Sequence, residues 1–176
     1  ELWWSDGTPE GTRMVEDLLP GSAGSNPQWL AMLGGRLYFS ASDGVRGTEL
    51  WSTDGTAGGT ALAADLRAGA ASSTPENLTS TGAAIVFVAD DGGGKALWRS
   101  DGSPGGTVRV VGPESGFFLD SGVYNRFAAL GELVLFAASD GVHGQELWRT
   151  DGTSAGTCMV KDISPSTDDL NAAGVT

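Results

Sequence analysis

The twelve-residue stretch Glu49-Leu50-Trp51-Ser52-Thr53-Asp54-Gly55-Thr56-Ala57-Gly58-Gly59-Thr60 has four copies in the chain, at 1–12, 49–60, 96–107 and 146–157. Measured between their leucines (Leu2, Leu50, Leu97 and Leu147), the steps are 48, 47 and 50 residues. A fixed period in this range is the mark of a repeat array or a propeller, in which each unit buries its apolar faces only against its neighbours.

Within each period the pattern reads as four short strands. In the first full copy these are Gln28 to Leu33, Arg36 to Ala41, Thr48 to Thr53 and Gly59 to Leu66. They are separated by Gly34-Gly35, by Ser42 to Gly47 and by the Asp54-Gly55 corner. Aromatic and branched residues favour strands, and Gly and Asp favour the turns. No stretch sustains an apolar period of 3.6, so helix has little claim. The later copies follow with Glu76 to Thr79, Ala84 to Ala89, Val108 to Val111, Arg126 to Leu130, Leu133 to Ala138 and Cys158 to Ile163.

Consecutive strand residues face opposite ways, so Leu50 and Trp51 put large apolar groups on both faces of one sheet. Such a sheet needs a neighbour on each side. The expected fold is therefore all-β, a β-propeller-like array of four-stranded blades forming an arc of a larger ring. The expected division is residues 1–19 as the C-terminal half of a blade, then blades at 20–66, 67–112 and 113–163, and the start of a further blade at 164–176. The third copy, in 67–112, is degenerate. Opening inside a repeat suggests an internal piece of a longer protein.

The formal net charge of -12, without a Lys/Arg stripe, argues against nucleic acid as a partner. No apolar run reaches the roughly 18 residues of a membrane span. Gly is 28 of 176 residues but shows no Gly-X-Y period, so collagen is excluded. The single cysteine, Cys158, is expected to be a small buried apolar residue.

The four copies, Glu1-Leu2-Trp3 with Asp6-Gly7-Thr8, Glu49-Leu50-Trp51 with Asp54-Gly55-Thr56, Ala96-Leu97-Trp98 with Asp101-Gly102-Ser103, and Glu146-Leu147-Trp148 with Asp151-Gly152-Thr153, resemble the ELWxxDGT repeat family. The resemblance covers essentially the whole chain. It implies a propeller-like or related all-β array in large bacterial proteins that are secreted or held at the cell surface. It implies no reaction and no catalytic residues. The third copy departs from the pattern at Ala96 and Ser103, and its preceding loop, Asp91 to Lys95, is one residue short.

Asp43 with Glu49, and Asp140 with Glu146, stand six residues apart across a hairpin. They are the candidate ligands for a calcium ion, although the alternating Asp-x-Asp-x-Asp spacing is missing. The competing expectation is that Glu49 accepts hydrogen bonds from strand or neighbouring-blade amides. The equivalent tryptophans Trp3, Trp51, Trp98 and Trp148 are expected to wedge between blades. Trp4 and Trp29 are not repeated as Trp, and Tyr124 lies in a linker, so these three are the candidate contacts for an outside ligand. His143 lacks a partner at metal-ligand spacing, and Gly-x-Ser-x-Gly is absent.

Near-identical chemistry in every unit suits multivalent attachment better than one asymmetric active site. The expected function is a non-catalytic extracellular or cell-surface module for adhesion, assembly or protein–protein interaction. Its partner would be another protein or a copy of itself, with no cofactor required. The alternative is a carbohydrate- or calcium-dependent binding propeller. An enzyme is the remaining possibility.

Overall fold

The structure, a computed structural model, describes residues 1–119 and 126–163. It is all-β and propeller-like. A two-stranded first sheet, β1 (Leu2–Trp4) and β2 (Arg13–Glu16), is followed by three four-stranded antiparallel sheets in simple meander order. The second sheet holds β3 (Gln28–Leu33), β4 (Arg36–Ser42), β5 (Thr48–Thr53) and β6 (Ala61–Ala64). The third holds β7 (Glu76–Ser80), β8 (Ile85–Asp90), β9 (Lys95–Ser100) and β10 (Thr107–Val111). The fourth holds β11 (Ala128–Leu130), β12 (Leu133–Ser139), β13 (Gln145–Thr150) and β14 (Cys158–Lys161). The first strands β3, β7 and β11 lie next to one another, so the sheets share one inner side.

Alternation along the third strands builds the core. Leu50 leaves β5 towards the third sheet and joins Leu33 and Tyr38 against Phe87 and Trp98. Leu97, its counterpart, faces the fourth sheet and packs with Phe117, Phe136 and Trp148. Leu2 meets Phe39 and Trp51 between the first and second sheets. In each case the leucine of one repeat packs in the same cluster as the tryptophan of the next. The ladders set a phenylalanine beside each of these indoles: Phe39 opposite Trp51, Phe87 opposite Trp98 and Phe136 opposite Trp148. Trp51 and Trp98 are 7% and 8% exposed, whereas Trp3, which no second strand flanks among the described residues, is 60% exposed.

Two features depart from the sequence expectation. The fourth strands end early, at Ala64 and Lys161 rather than at Leu66 and Ile163. There the backbone leaves the ladder because the Leu66 and Ile163 amides donate to the carboxylates of Glu49 and Glu146. The first strands are also not continuous. Register slips between Gln28 and Ala31 and between Glu76 and Thr79, where Trp29 and Asn77 adopt φ of 55° and 59°. A bulge with a left-handed residue twists the inner strand and re-aims its side chain.

Replacing Trp98 by Ala removes an indole buried between two sheets and its Nε1 hydrogen bond to the Ala89 carbonyl, and should cost about 3–5 kcal/mol. Trp3→Ala should fall within about 0.5 kcal/mol of the parent. Urea unfolding of the two variants checks the contrast.

Candidate functional site

The glutamate that precedes the Leu-Trp pair in three of the four copies accepts backbone amides, as the sequence led one to expect of Glu49. Glu49 is fully buried. Its carboxylate accepts hydrogen bonds from the Leu66 amide (2.9 Å), the Ser73 amide (2.8 Å) and the Ser73 hydroxyl (2.5 Å). Glu1 repeats the arrangement with Leu18, Leu19, and the amide and hydroxyl of Ser25. The same serines extend the linker into the next sheet, where the Ser42 amide donates to the Ser25 carbonyl and the Asp90 amide to the Ser73 carbonyl. Each carboxylate therefore ties the end of its own sheet to the segment that starts the next.

Burial pushes the Glu49 carboxyl above its ordinary 4.5, and the Ser73 and Leu66 donors offset this only in part. At Glu1, which is half-buried, burial also pushes upward, but the Ser25 and Leu18 donors outweigh it and the value lies below 4.5. A raised carboxyl is held less well as the anion than in the unfolded chain. The Glu49 contribution to stability thus falls as pH rises from about 4.5 through its folded value.

The third copy dispenses with the device. Ala96 is buried where the glutamate would stand, and the linker carries Phe117-Phe118 in place of the serine. Phe118 still pairs with Ser139 through both backbone bonds, and Phe117 is seated edge-on against Trp148 and Phe136. An apolar anchor holds this linker instead of a carboxylate.

Of the calcium candidates, Asp43 and Asp140 hold the tips of their own hairpins. Asp43 accepts from the Val45 and Arg46 amides and the Arg46 guanidinium, the last at 2.6 Å. Asp140 accepts from the Val142 and His143 amides and from His143 Nδ1 at 2.7 Å. Asp43 and Glu49 are thus engaged with different donors, and Glu146 is buried with the Ile163 amide on its Oε2. Among the described residues no group of three or more His, Cys, Asp or Glu is placed to hold a metal ion. The His143 amide, ring nitrogen and Val142 amide hold the Asp140 carboxyl down at about 2, and Asp140 in turn raises His143 above 6.5.

The Asp-Gly-Thr corner is a closed circuit. Asp54 Oδ1 accepts from the Thr56 amide and hydroxyl, Thr56 Oγ1 accepts from the Gly59 amide, and the Thr60 hydroxyl donates to the Thr56 carbonyl. A side chain at residue 59 would put its Cβ 2.0 Å from Asp54 Oδ1, so the second glycine of the motif is demanded by close approach.

Trp4 and Trp29, the candidate ligand contacts, are both 44% exposed; Tyr124 lies outside the described residues. Trp4 carries the Arg13 guanidinium 5.4 Å from its ring centroid, and Arg13 also donates to the Gly55 carbonyl of the second sheet. Trp4 lines a groove of about 280 Å³ between the first and second sheets, together with Trp3, Leu30, Met32 and Leu37. Trp29 does not line it and stands apart on its bulge. Cys158 is half-buried rather than buried, since it lies on the outer strand β14, where Arg149 Nε approaches its Sγ to 3.4 Å.

A second surface was missed in the sequence. Leu33 (8% exposed) and Leu50 (0%) are covered by the third sheet, whereas their counterparts Leu130 and Leu147 on the fourth sheet are 62% and 38% exposed. Val160 and Ile163, counterparts of Ala63 and Leu66 in the same interface, are exposed beside them.

No protein-family model matches the chain, and no curated protein matches it. Among solved structures, TolB from Acinetobacter baumannii is similar at 17% identity with a TM-score of 0.49, over 85% of this chain and 35% of that one. No helix among the described residues is long and apolar enough to cross a membrane.

Glu49→Ala strands two buried amides and should cost about 3 kcal/mol, Ser73→Ala about 1 kcal/mol. The double variant should fall short of the sum by at least about 0.5 kcal/mol, because both act in one network; urea midpoints of the four proteins test this. His143, followed by NMR, should titrate above 6.5 and shift downward in Asp140→Asn. The pair's contribution from His143 is complete below 6.5 and is lost as pH rises through its raised value; that from Asp140 is present above 3.8 and is lost as pH falls towards about 2.

Proposed function

We propose that the chain is a non-catalytic repeat module of the ELWxxDGT type, secreted or displayed on a bacterial cell, that binds other proteins in adhesion or assembly. The observation that carries this reading is the outer face of the fourth sheet. Among the described residues, Leu130, Leu147, Val160 and Ile163 are exposed where their counterparts in the second sheet are covered by the third. Grouped exposed aliphatics of this kind mark protein interaction surfaces. The repeated polar groups support the same reading, because Glu49, Asp54, Asp43 and Asp140 have hydrogen-bond partners within the array. The charge of -12 favours partners other than nucleic acid.

Binding of a glycan has one observation in its favour, the groove beside Trp4, since an indole face can stack on a sugar ring. Arg13 already occupies one face of that ring.

Retention of the immobilised chain by bacterial cell-envelope proteins, set beside a glycan array run with and without chelator, separates the two. Protein retention should fall at least tenfold in Leu130→Asp/Ile163→Asp and be indifferent to chelator. Glycan capture lost in Trp4→Ala, with no protein retention, would replace this reading by the second.

A further inference from the structure

The interface between the second and third sheets is less filled than those on either side of it. Where the first sheet meets the second, Arg13 donates to the carbonyl of the corner glycine Gly55. Where the third meets the fourth, Arg99 lies against the corner glycine Gly152, so close that a Cβ there would stand 2.7 Å from its Cδ. Between the second and third sheets the equivalent residues are short. Ser52 follows Trp51 as Arg99 follows Trp98, and Ala61 faces Ser52 across the ladder as Arg13 faces Trp4. A cleft of about 300 Å³ remains, walled by Arg36, Tyr38, Ser52 and Leu62 from the second sheet and by Ser100 and Pro104 from the third. Both walls belong to complete four-stranded sheets.

The cleft holds a surplus of hydrogen-bond donors. Arg36 spends its Nη2 on the Gly59 carbonyl (2.6 Å) and the Ser52 hydroxyl (3.2 Å). Among the described residues its Nε and Nη1 have no acceptor, and it pairs with no carboxylate. The Ser52 hydroxyl accepts from Arg36 and donates to nothing described. Tyr38 reaches the Gly102 carbonyl only at 3.5 Å, at the outer limit of a hydrogen bond. The Ser100 hydroxyl accepts from Thr107 and from the Gly102 amide, with its own proton likewise unspent. The Arg36 position, three residues before Phe39, holds Ala84 and Leu133 in the next two sheets, so this cation is not repeated there.

An ionised carboxylate accepts only, and the free edge of a guanidinium matches its two oxygens. We propose that this cleft docks a single acidic side chain, Asp or Glu, presented by a protein partner. Arg36 Nε and Nη1 hold the carboxylate, the Ser52 and Tyr38 hydroxyls donate to it, and Leu62 and Pro104 cover its methylenes. The cleft lies at the lower end of ligand-pocket volumes, which suits one side chain. The net charge of -12 repels every further unit of a polyanion, so the docked acid sits in a segment otherwise neutral or basic.

This proposal rests on the interaction-module reading but uses none of Leu130, Leu147, Val160 and Ile163, so the two fail separately. The probe is the peptide acetyl-Lys-Ala-Glu-Leu-Lys-amide, titrated into the whole chain at low salt and followed by NMR. The Arg36 Nε–H and the Gly102 and Ser103 amides should shift, and the analogue with Gln in place of Glu should bind at least about tenfold more weakly. Ser52→Arg puts into the cleft the side chain that Arg99 supplies to the next interface. With an unchanged unfolding midpoint it should weaken binding at least about tenfold, as should Arg36→Gln. No binding, equal binding of the Gln analogue, shifts confined to other surfaces, or undiminished binding by Ser52→Arg would each overturn the site. Glucuronate binding as tightly as the peptide would overturn the protein partner in favour of an acidic sugar. Protein retention through Leu130 and Ile163 would be untouched by any of these results.

Discussion

In a strand, consecutive side chains leave the sheet on opposite faces, and the Leu-Trp pair in each third strand uses this to serve two interfaces at once. Leu50 reaches forward into the cluster that holds Trp98, while Trp51 reaches back into the cluster that holds Leu2. No sheet in such a stack has a core of its own. Stability is shared across interfaces, as in repeat proteins generally, and an end sheet leaves open what an internal sheet buries.

The buried glutamate is the second coupling between units, and it acts along the chain rather than across faces. Taking a carboxylate out of water is costly unless every lone pair finds a donor. Glu49 recovers part of that cost through two amides and a hydroxyl drawn from the two ends of one linker. The third repeat supplies an internal comparison: loss of the carboxylate at Ala96 is accompanied by loss of the serine. The linker is then fixed by Phe117 in the apolar cluster. Either chemistry holds the linker.

Much of this architecture was legible in the residues. The period, the Asp-Gly-Thr corner and the alternation of Leu50 with Trp51 are local patterns, and local patterns determine turns, strands and which faces are apolar. They indicated that Glu49 would accept amides but not which ones, because its partners lie 17 and 24 residues away and meet it only after the sheet has formed. Nor could they distinguish Trp3 from Trp51, or Leu147 from Leu50, since identical motifs carry identical local information. That difference is decided by neighbours in space. An indole is core where a phenylalanine strand and a leucine-bearing sheet close over it, and exposed where they do not, so only the tertiary structure separates Trp51 from Trp3.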